Sequence, residues 1–344
     1  MIRNEPFKQI LAETREHWDH LGIRQTVRDN FHRVLACRTP ALGAEIYRST
    51  QEEKVIFHTC KSRSCPICGQ WSMERWQHEM YNRLPDISYV GMIFTMPDVL
   101  WTIFQQHRDL LHDLPMLGAE VLQQWAKRRG AQLIVMVVPH TFGRHLNFNS
   151  HLHILVSQGG LNKKDGRWMK NLKFHRNALM RMWRFAVITY LREVFKQMSG
   201  PLDIHLREEL RKQYERWWNI RIDCSMSKSH FLKYACRYVR HPPIAQRRIV
   251  EIRDGKVTFW TKDLKLKQRV LTQCTSVEFV TRLFPHVKDK YEHGIRYFGL
   301  LAPRKRRDLS TLFLIIGQKA TVSSSTHALG RLRKNHIRHG SPNG

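Results

Sequence analysis

The chain has 344 residues, with 58 lysines and arginines against 29 aspartates and glutamates, which gives a formal charge of +29. Because 42% of its residues are hydrophobic, it is too apolar for a disordered basic tail, and we expect a globular protein that binds a polyanion such as a nucleic acid. The longest apolar runs fall far short of the roughly 20 residues that cross a bilayer, and charges interrupt the N-terminus. These features argue against a membrane-spanning or exported protein and predict a cytoplasmic, nucleoid-associated one.

The first 36 residues are predicted to be helical, with a break at Gly22, since apolar side chains recur there at helical spacing. Residues 37–86 form a cysteine-rich region that ends in a helix before Pro85. That helix carries aromatic and basic residues such as Trp71 and Arg75, and it suits either DNA binding or docking on a neighbouring domain.

Four cysteines lie close together in this region: Cys37, Cys60, Cys65 and Cys68. The last two stand in a Cys-Pro-Ile-Cys-Gly segment, whose spacing is typical of a zinc knuckle. Cys60 is a close third ligand and Cys37 the best available fourth, with His32 and His58 as competitors. A set of buried free cysteines or a redox pair are the alternatives.

The remaining elements follow from periodicity and turn residues. In chain order we predict a strand over 87–97, two helices over 98–129 with Asp98 as N-cap and a break at Pro115, strands over 131–138 and 151–157, and helices over 172–217. After these come a short strand over 221–226, a helix over 227–240, a hairpin with an Asp254-Gly255 turn and a helix over 275–284. The region from 302 to 344 is predicted to be a basic tail that contributes little to the core.

Two histidines, His151 and His153, are separated by one apolar residue at the start of the third strand. Side chains alternate across a strand, so both imidazoles share one face while Leu152 anchors the other face in the core. An antiparallel hairpin would bring His140 beside His151. Three imidazoles predict a metal site with positions open for substrate oxygen, whereas a chance pairing on a half-exposed strand is the alternative.

Two tyrosines, Tyr234 and Tyr238, stand four residues apart on the predicted 227–240 helix. Basic neighbours favour a phosphate nearby: Lys233, Arg237 and Arg240. Tyrosine suits reversible phosphoryl transfer, because a phosphotyrosine bond conserves the energy of a cleaved phosphodiester. An aromatic stripe on an amphipathic helix is the alternative.

In combination these motifs make the chain resemble the rolling-circle transposases of the insertion sequence 91 family, which use the single-strand endonuclease fold named HUH after its histidine-hydrophobe-histidine motif. The matching stretches are Cys37 to Gly43, Cys60 to Gly69, Phe94 to Pro97, His140 to Gly143, His151 to His153, Tyr234 to Pro243 and Ile295 to Leu301. They follow the family's order along the chain.

The resemblance implies an α+β fold in which a central antiparallel sheet, flanked by helices, follows a helical and zinc-binding N-terminal region. It implies a zinc-binding DNA-binding domain at 37–86 and a catalytic domain at 87–301. The implied activity is nicking and rejoining of single-stranded DNA at transposon ends and target, with host replication or helicase proteins as expected partners of the reaction.

In this scheme His140, His151 and His153 hold Mg²⁺ or Mn²⁺, and the four cysteines hold structural Zn²⁺. Tyr234 and Tyr238 are the nucleophiles that form a 5′-phosphotyrosine, and Tyr238 is expected to be essential. The general base stays open among water, the metal and Lys233. The basic residues expected to contact DNA are Lys61, Arg63, Lys233, Arg237 and Arg240. A plasmid replication initiator or relaxase is one alternative, and a non-enzymatic zinc-dependent DNA-binding regulator is another.

Overall fold

The computed structural model describes residues 5–199, 204–239, 242–263, 268–290 and 292–319. The helices in these ranges are α1 (Pro6–Glu13), α2 (Arg15–His20), α3 (Gln25–Leu35), α4 (Pro66–Arg83), α5 (Trp101–Gln106), α6 (Leu114–Lys127), α7 (Arg176–Ser199), α8 (Ile204–Lys212), α9 (Lys228–Ala235), α10 (Ser276–Leu283) and α11 (Arg306–Ile315). The strands are β1 (Ala44–Arg48), β2 (Glu53–Phe57), β3 (Tyr89–Thr95), β4 (Ala131–Gln132), β5 (Ile134–Phe142), β6 (Phe148–Ser157), β7 (Gly160–Asn162), β8 (Trp168–Met169), β9 (Ile220–Ile222), β10 (Ile249–Arg253), β11 (Lys256–Lys262), β12 (Arg269–Thr275) and β13 (Arg296–Gly299). Within the described ranges, no helix combines the length and apolar character needed to cross a bilayer.

A five-stranded antiparallel sheet forms the centre of the molecule, with the strand order β13-β5-β6-β3-β9. The predicted α+β class and the antiparallel pairing of β5 with β6 are therefore confirmed. β6 is the middle strand, and the register sets His140 opposite His151. On its other side, β6 pairs with β3 so that Ile93 stands opposite His153.

The two faces of this sheet are covered by different helices. On one face α6 and α7 pack over a large apolar core that includes Leu152 and Ile154, both fully buried. On the other face α4, α9 and α11 pack over Leu155 and Met136. The alternation along β6 thus places Leu152 in the first core and both histidines of the motif on the second face, as the sequence predicted.

The N-terminal helices pack against elements from much later in the chain. Their buried residues, such as Trp18 and Phe31, share one cluster with the four cysteines and with Phe279 of α10. A second sheet, β10-β11-β12, contributes Phe259 to the same cluster. The predicted hairpin turn is present, with Asp254 and Gly255 both at positive φ.

Several local predictions are wrong. Asp98 does not cap a helix, because its carboxylate accepts from the adjacent amide of Val99 and Pro97 occupies the cap position. The predicted break in the 98–129 stretch is present, but Pro115 lies in the first turn of α6, where its missing amide hydrogen costs nothing. In the described part of the predicted tail, residues 302–319, α11 buries Leu309 and Leu312 against the central sheet, whereas residues 320–344 lie outside the described residues.

The helix predicted over 227–240 is also shorter than expected. α9 ends at Ala235, and the amide of Tyr238 bonds back to the Ala235 carbonyl, three residues earlier, in a tight turn. The turn is stabilised from outside, because the Tyr238 carbonyl accepts a hydrogen bond from Nε2 of His140 at 2.8 Å. Pro242 and Pro243 follow, and neither has an amide hydrogen with which to continue a helix.

Candidate active site and metal centres

The four cysteines converge on one buried point, with sulfur atoms that all lie within 4.8 Å of one another. The Sγ atoms of Cys37 and Cys68 are 3.6 Å apart, those of Cys60 and Cys68 are 3.5 Å apart, and those of Cys65 and Cys37 are 4.0 Å apart. Four sulfurs bound at about 2.3 Å to one tetrahedral zinc ion are roughly 3.8 Å from each other. The spacing therefore fits zinc, and neither His32 nor His58 is required as a ligand.

The pKa values of the thiols in this cluster favour binding of a cation. Contacts with neighbouring thiols lower the pKa of Cys37 to about 7, with the largest effect from Cys60, and raise the pKa of Cys60 and Cys65. Only some of the four sulfurs can thus ionise while the site holds no positive charge. The Cys60 amide, which donates to the Cys37 sulfur at 3.3 Å, stabilises a thiolate there.

The cysteine cluster is joined directly to the central sheet by α4. Cys65 is the N-cap of this helix and Cys68 lies in its first turn. Further along, Trp76 is buried, and its indole nitrogen donates to the Tyr297 hydroxyl of β13 at 2.9 Å. The opposite side of α4 leaves Trp71 73% exposed. Of the two roles considered for this helix, docking is thus observed for one face, while the other face remains available for DNA.

The three histidines of the second cluster lie on one face of β5 and β6, with one ring nitrogen from each within 4.8 Å of the others. The Nε2 atoms of His151 and His153 are 3.1 Å apart. His140 contacts both, with its ring centroid 4.6 Å from that of His153 and 5.5 Å from that of His151. The sheet register, set by the buried residues between the histidines, therefore holds all three rings together.

The protonation state of this cluster favours metal binding. Burial lowers the pKa of His151, and burial together with the other two histidines holds the pKa of His153 well below its usual range. Both rings are thus neutral at pH 7, the form that binds a metal. Nδ1 of His151 donates to the Asn149 carbonyl at 2.8 Å, which leaves the lone pair on Nε2, facing the cluster.

Two further atoms fit a bound ion. Since a carbonyl only accepts, Nε2 of His140 carries the hydrogen in its bond to Tyr238, and Nδ1 keeps its lone pair. Among the described residues Nδ1 of His153 is buried without a hydrogen-bond partner, the kind of atom that a ligand satisfies. The donor set is therefore compatible with a divalent cation, although imidazole is softer than the oxygen ligands Mg²⁺ prefers.

Both predicted tyrosines lie beside the histidine cluster. The Tyr238 ring stacks on the His153 ring, with the centroids 3.7 Å apart and an angle of 21° between the planes. The Tyr234 ring is 5.1 Å from the Tyr238 ring, even though only Tyr234 belongs to α9. The shared position next to the histidines thus comes from the turn after α9, and not from one continuous helix face.

The Tyr234 hydroxyl donates to Oδ2 of Asp223, a residue that the sequence analysis did not select. Gly91 of β3 makes room for this tyrosine, because a Cβ atom there would come within 2.6 Å of its ring. Neither residue carried a signal beyond its place in a predicted strand. Burial, assisted by the hydrogen bond to Asp223, raises the pKa of Tyr234 above its ordinary value.

The residues expected to contact DNA are in different surroundings. Lys61, Lys233 and Arg237 are exposed, with the Arg237 guanidinium 5.9 Å from the centre of the Tyr234 ring. Arg63 is half-buried, and it donates to the Glu292 carbonyl at 3.2 Å. Arg240 lies outside the described residues.

A cavity of about 870 Å³ lies between α3, the Cys60–Cys65 loop and the end of β5. Its lining includes His140 and Tyr238 together with Arg33 and Arg63. One histidine of the histidine cluster and one arginine of the cysteine-rich loop thus line the same cavity.

Comparison with known proteins agrees with this arrangement. The family model described as "Transposase zinc-binding domain" matches residues 7–96, and the one described as "Putative transposase" matches residues 134–308. The chain is also 32% identical over 320 residues to the transposase for insertion sequence element IS801 of Pseudomonas savastanoi pv. phaseolicola, a match that covers 87% of this chain and 77% of the relative. The chain belongs to the insertion sequence 91 family of transposases.

A second relative of this transposase is "Putative transposase y4qJ" of Sinorhizobium fredii (strain NBRC 101917 / NGR234), 28% identical over 335 residues, which are 90% of this chain and 83% of the relative. No solved structure matches the chain. The family assignment confirms the resemblance seen in the sequence and favours a transposase over a plasmid initiator, a relaxase or a non-enzymatic regulator. The cysteine cluster lies within the transposase's zinc-binding domain, and a transposase binds DNA.

Proposed function

We propose that this transposase cuts and rejoins single-stranded DNA through a 5′-phosphotyrosine intermediate during rolling-circle transposition. The observation that carries the proposal is the stacking of Tyr238 on His153, which sets a nucleophile against the three-histidine cluster. A tyrosine hydroxyl near a cation site can attack a phosphodiester whose non-bridging oxygens contact that cation.

His140, His151 and His153 are the residues that would hold Mg²⁺ or Mn²⁺. When bound, such an ion supplies a Lewis acid that polarises the scissile phosphate. The protein orients the three rings through the β5–β6 register and through the carbonyls of Asn149 and Tyr238. Hydrogen bonds of this kind fix both the tautomer and the angle of the His151 and His140 rings.

The pairing of two tyrosines supports strand exchange and not simple cleavage. One tyrosine keeps the cleaved strand as a 5′-phosphotyrosine while the second, whose ring is 5.1 Å away, attacks another strand. The free 3′-hydroxyl left by each cut can then reverse the other phosphotyrosine bond. Both steps conserve the number of phosphoester bonds, so neither needs a nucleoside triphosphate.

The placement of the basic residues supports a DNA path across both metal centres. The cavity beside His140 and Tyr238 reaches Arg33 and Arg63 near the zinc-binding domain. Lys61, Lys233 and Arg237 are exposed, and phosphate contacts from such residues would hold a strand without reading its sequence.

A covalent-capture assay tests the proposal. The full chain is incubated with Mn²⁺ and a single-stranded oligonucleotide that carries a transposon end and a 3′ label, because a 5′-phosphotyrosine retains the 3′ fragment. We expect a labelled protein band that survives denaturing electrophoresis. The Tyr234→Phe/Tyr238→Phe double variant and the His151→Ala variant should reduce this band by at least about 10³-fold.

Tyr81→Phe is the matched control, since Tyr81 is an exposed tyrosine of α4 that stands apart from the histidine cluster. This variant should form the adduct at the normal rate. A band that persists in the double variant would contradict the proposed nucleophiles.

A further inference from the structure

Asp223 holds the hydroxyl of one of the two tyrosines. Its Oδ2 atom accepts from the Tyr234 hydroxyl, while its Oδ1 atom accepts from Nε of Arg221 at 2.7 Å. The Asp223 side chain is only 12% exposed, and Arg221 is its ion-pair partner. The two oxygens of this carboxylate therefore have separate partners.

The position of this carboxylate is fixed by the central sheet. Its backbone amide donates to the Gly91 carbonyl of β3 at 2.8 Å, just beyond the end of β9. The same Gly91 leaves the space in which the Tyr234 ring lies. Because one strand positions both groups, the hydrogen bond between Tyr234 and Asp223 is part of the fold and not a chance surface contact.

Tyr234 needs a base if it is to attack a phosphate near neutral pH. Burial and the neighbouring carboxylate raise the pKa of Tyr234, so its phenolate does not form before the reaction. The other groups that face the pair are Arg221 of β9 and, from the segment after α9, Arg237 and Tyr238. Of these groups only Asp223 is an anionic acceptor in contact with the hydroxyl.

The second tyrosine has different surroundings. Its ring lies on His153, and its hydroxyl interacts with the hydroxyl of Tyr234, which in turn donates to Asp223. Replacement of Tyr234 by phenylalanine would remove that link. The two nucleophiles are thus chemically inequivalent.

On the basis of the two-tyrosine function proposed above, we propose that Asp223 is the general base for Tyr234. As the bond from the Tyr234 hydroxyl oxygen to phosphorus forms, the phenolic proton moves to Oδ2 of Asp223. The bond from phosphorus to the 3′-oxygen breaks, and that oxygen takes a proton from water to become the free 3′-hydroxyl. In the reverse step an incoming 3′-hydroxyl loses its proton to water, and the protonated Asp223 returns its own to the departing Tyr234.

Four variants of the full chain test this assignment. Tyr238→Phe leaves Tyr234 as the nucleophile and Tyr234→Phe leaves Tyr238, and each is made with and without Asp223→Asn. The measured quantity is the single-turnover rate of adduct formation on the 3′-labelled oligonucleotide with Mn²⁺. General-base catalysis contributes about 10²- to 10⁴-fold, so Asp223→Asn should slow the Tyr234 reaction by at least about 100-fold. It should change the Tyr238 reaction by less than about 3-fold.

The asparagine variant keeps an oxygen that accepts a hydrogen bond, so a slow Tyr234 reaction is not explained by a displaced ring. Asp223→Glu, which restores a carboxylate, should recover part of the rate. The Tyr238 reaction in the same background shows whether Asp223→Asn leaves the protein folded. A Tyr234 reaction that keeps its rate in Asp223→Asn, or equal slowing of both reactions, would overturn the assignment.

The proposed function can fail separately from this assignment. If neither tyrosine forms an adduct while Asp223 is intact, the two-tyrosine function itself is wrong. If the Tyr234 adduct forms at the same rate with aspartate or asparagine at position 223, only the role of Asp223 is wrong.

Discussion

The cysteine cluster and the histidine cluster are built in opposite ways. Three of the cysteines, Cys60, Cys65 and Cys68, come from one loop and the helix turn after it, and all four sulfurs are buried. The histidines come from two paired strands, and their positions depend on the register of the central sheet. The first site is local and closed, whereas the second depends on tertiary structure and faces two tyrosines.

This difference matches the two roles that metals have in proteins. A structural zinc site uses four protein ligands and leaves no open position, whereas a catalytic site leaves positions for substrate. The surrounding packing is consistent with this division. The cysteines share a core with α1, α3 and α10, while one side of the histidine cluster borders the cavity at His140.

Loss of one cysteine should therefore have the largest effect on stability. Structural zinc contributes about 10–16 kcal/mol in isolated zinc fingers, so Cys68→Ser should unfold the N-terminal region and release the zinc. His151→Ala, in the histidine cluster, should leave thermal unfolding nearly unchanged although it abolishes adduct formation. Zinc content by mass spectrometry and thermal unfolding by near-ultraviolet circular dichroism measure the two effects.

Cys224→Ser is the matched control, because Cys224 is exposed and lies outside the cluster. It should keep one zinc ion per chain. The distinction between the two sites would break down if Cys68→Ser kept its zinc and its melting temperature, or if His151→Ala unfolded as readily as Cys68→Ser.

Mild acid should lower the free energy of unfolding of the region around the histidine cluster more than that of the cysteine region. The reason is His286, a buried histidine that supports the β5–β6 turn. His286 is buried, bonds to Thr141 and to the Leu146 carbonyl, and has a pKa lowered to about 4, chiefly by burial. In the unfolded chain its pKa is about 6.5, so between these values the unfolded state binds more protons. The stability that neutral His286 provides is complete above pH 6.5 and is lost as the pH falls toward 4.

A shift of this size corresponds to about 3 kcal/mol in total, of which about 2 kcal/mol should disappear between pH 7 and pH 5. Urea unfolding at both pH values, without added Mg²⁺ or Mn²⁺, measures the change. His286→Gln should make the pH dependence shallower, whereas His145→Gln, at an exposed position in the same turn, should leave it as it was. An equal pH dependence in wild type and His286→Gln would show that His286 is not the titrating group.

The sequence was informative wherever a pattern is local. Alternation of apolar residues predicted that His151 and His153 share a face with Leu152 opposite, and strand pairing then predicted the position of His140. Short spacing predicted the cysteine cluster in the same way. Each of these patterns depends on contacts along a strand or within a loop, which periodicity and turn chemistry determine directly.

The features that the sequence did not predict depend on distant contacts. Asp223 reaches Tyr234 only because β9 pairs with β3 at the edge of the central sheet, and β9 has three residues. α9 ends early because the Tyr238 carbonyl bonds to His140, almost 100 positions earlier in the chain. Neither pairing leaves a periodic signal in the sequence.

The smallest predicted effects concern two basic residues of the cysteine loop, Lys61 and Arg63. Both were predicted from the sequence to contact DNA, but their surroundings differ. Lys61 is exposed, whereas Arg63 packs against Gly294 and donates to the Glu292 carbonyl. Lys61→Ala should weaken binding of single-stranded DNA by a few-fold and lower the slope of log affinity against log salt by about 1, with no change in melting temperature.

Arg63→Ala should show the opposite pattern, because it removes a charged hydrogen bond that joins the zinc-binding domain to the segment before β13. We expect a loss of about 1–2 kcal/mol in unfolding free energy and a smaller change in the salt slope than for Lys61→Ala. Fluorescence anisotropy at several salt concentrations and urea unfolding measure the two quantities. If Arg63→Ala lowered the salt slope as much as Lys61→Ala and left stability unchanged, Arg63 would be a DNA contact as first predicted, and the zinc-binding domain would be joined to the central sheet chiefly through α4.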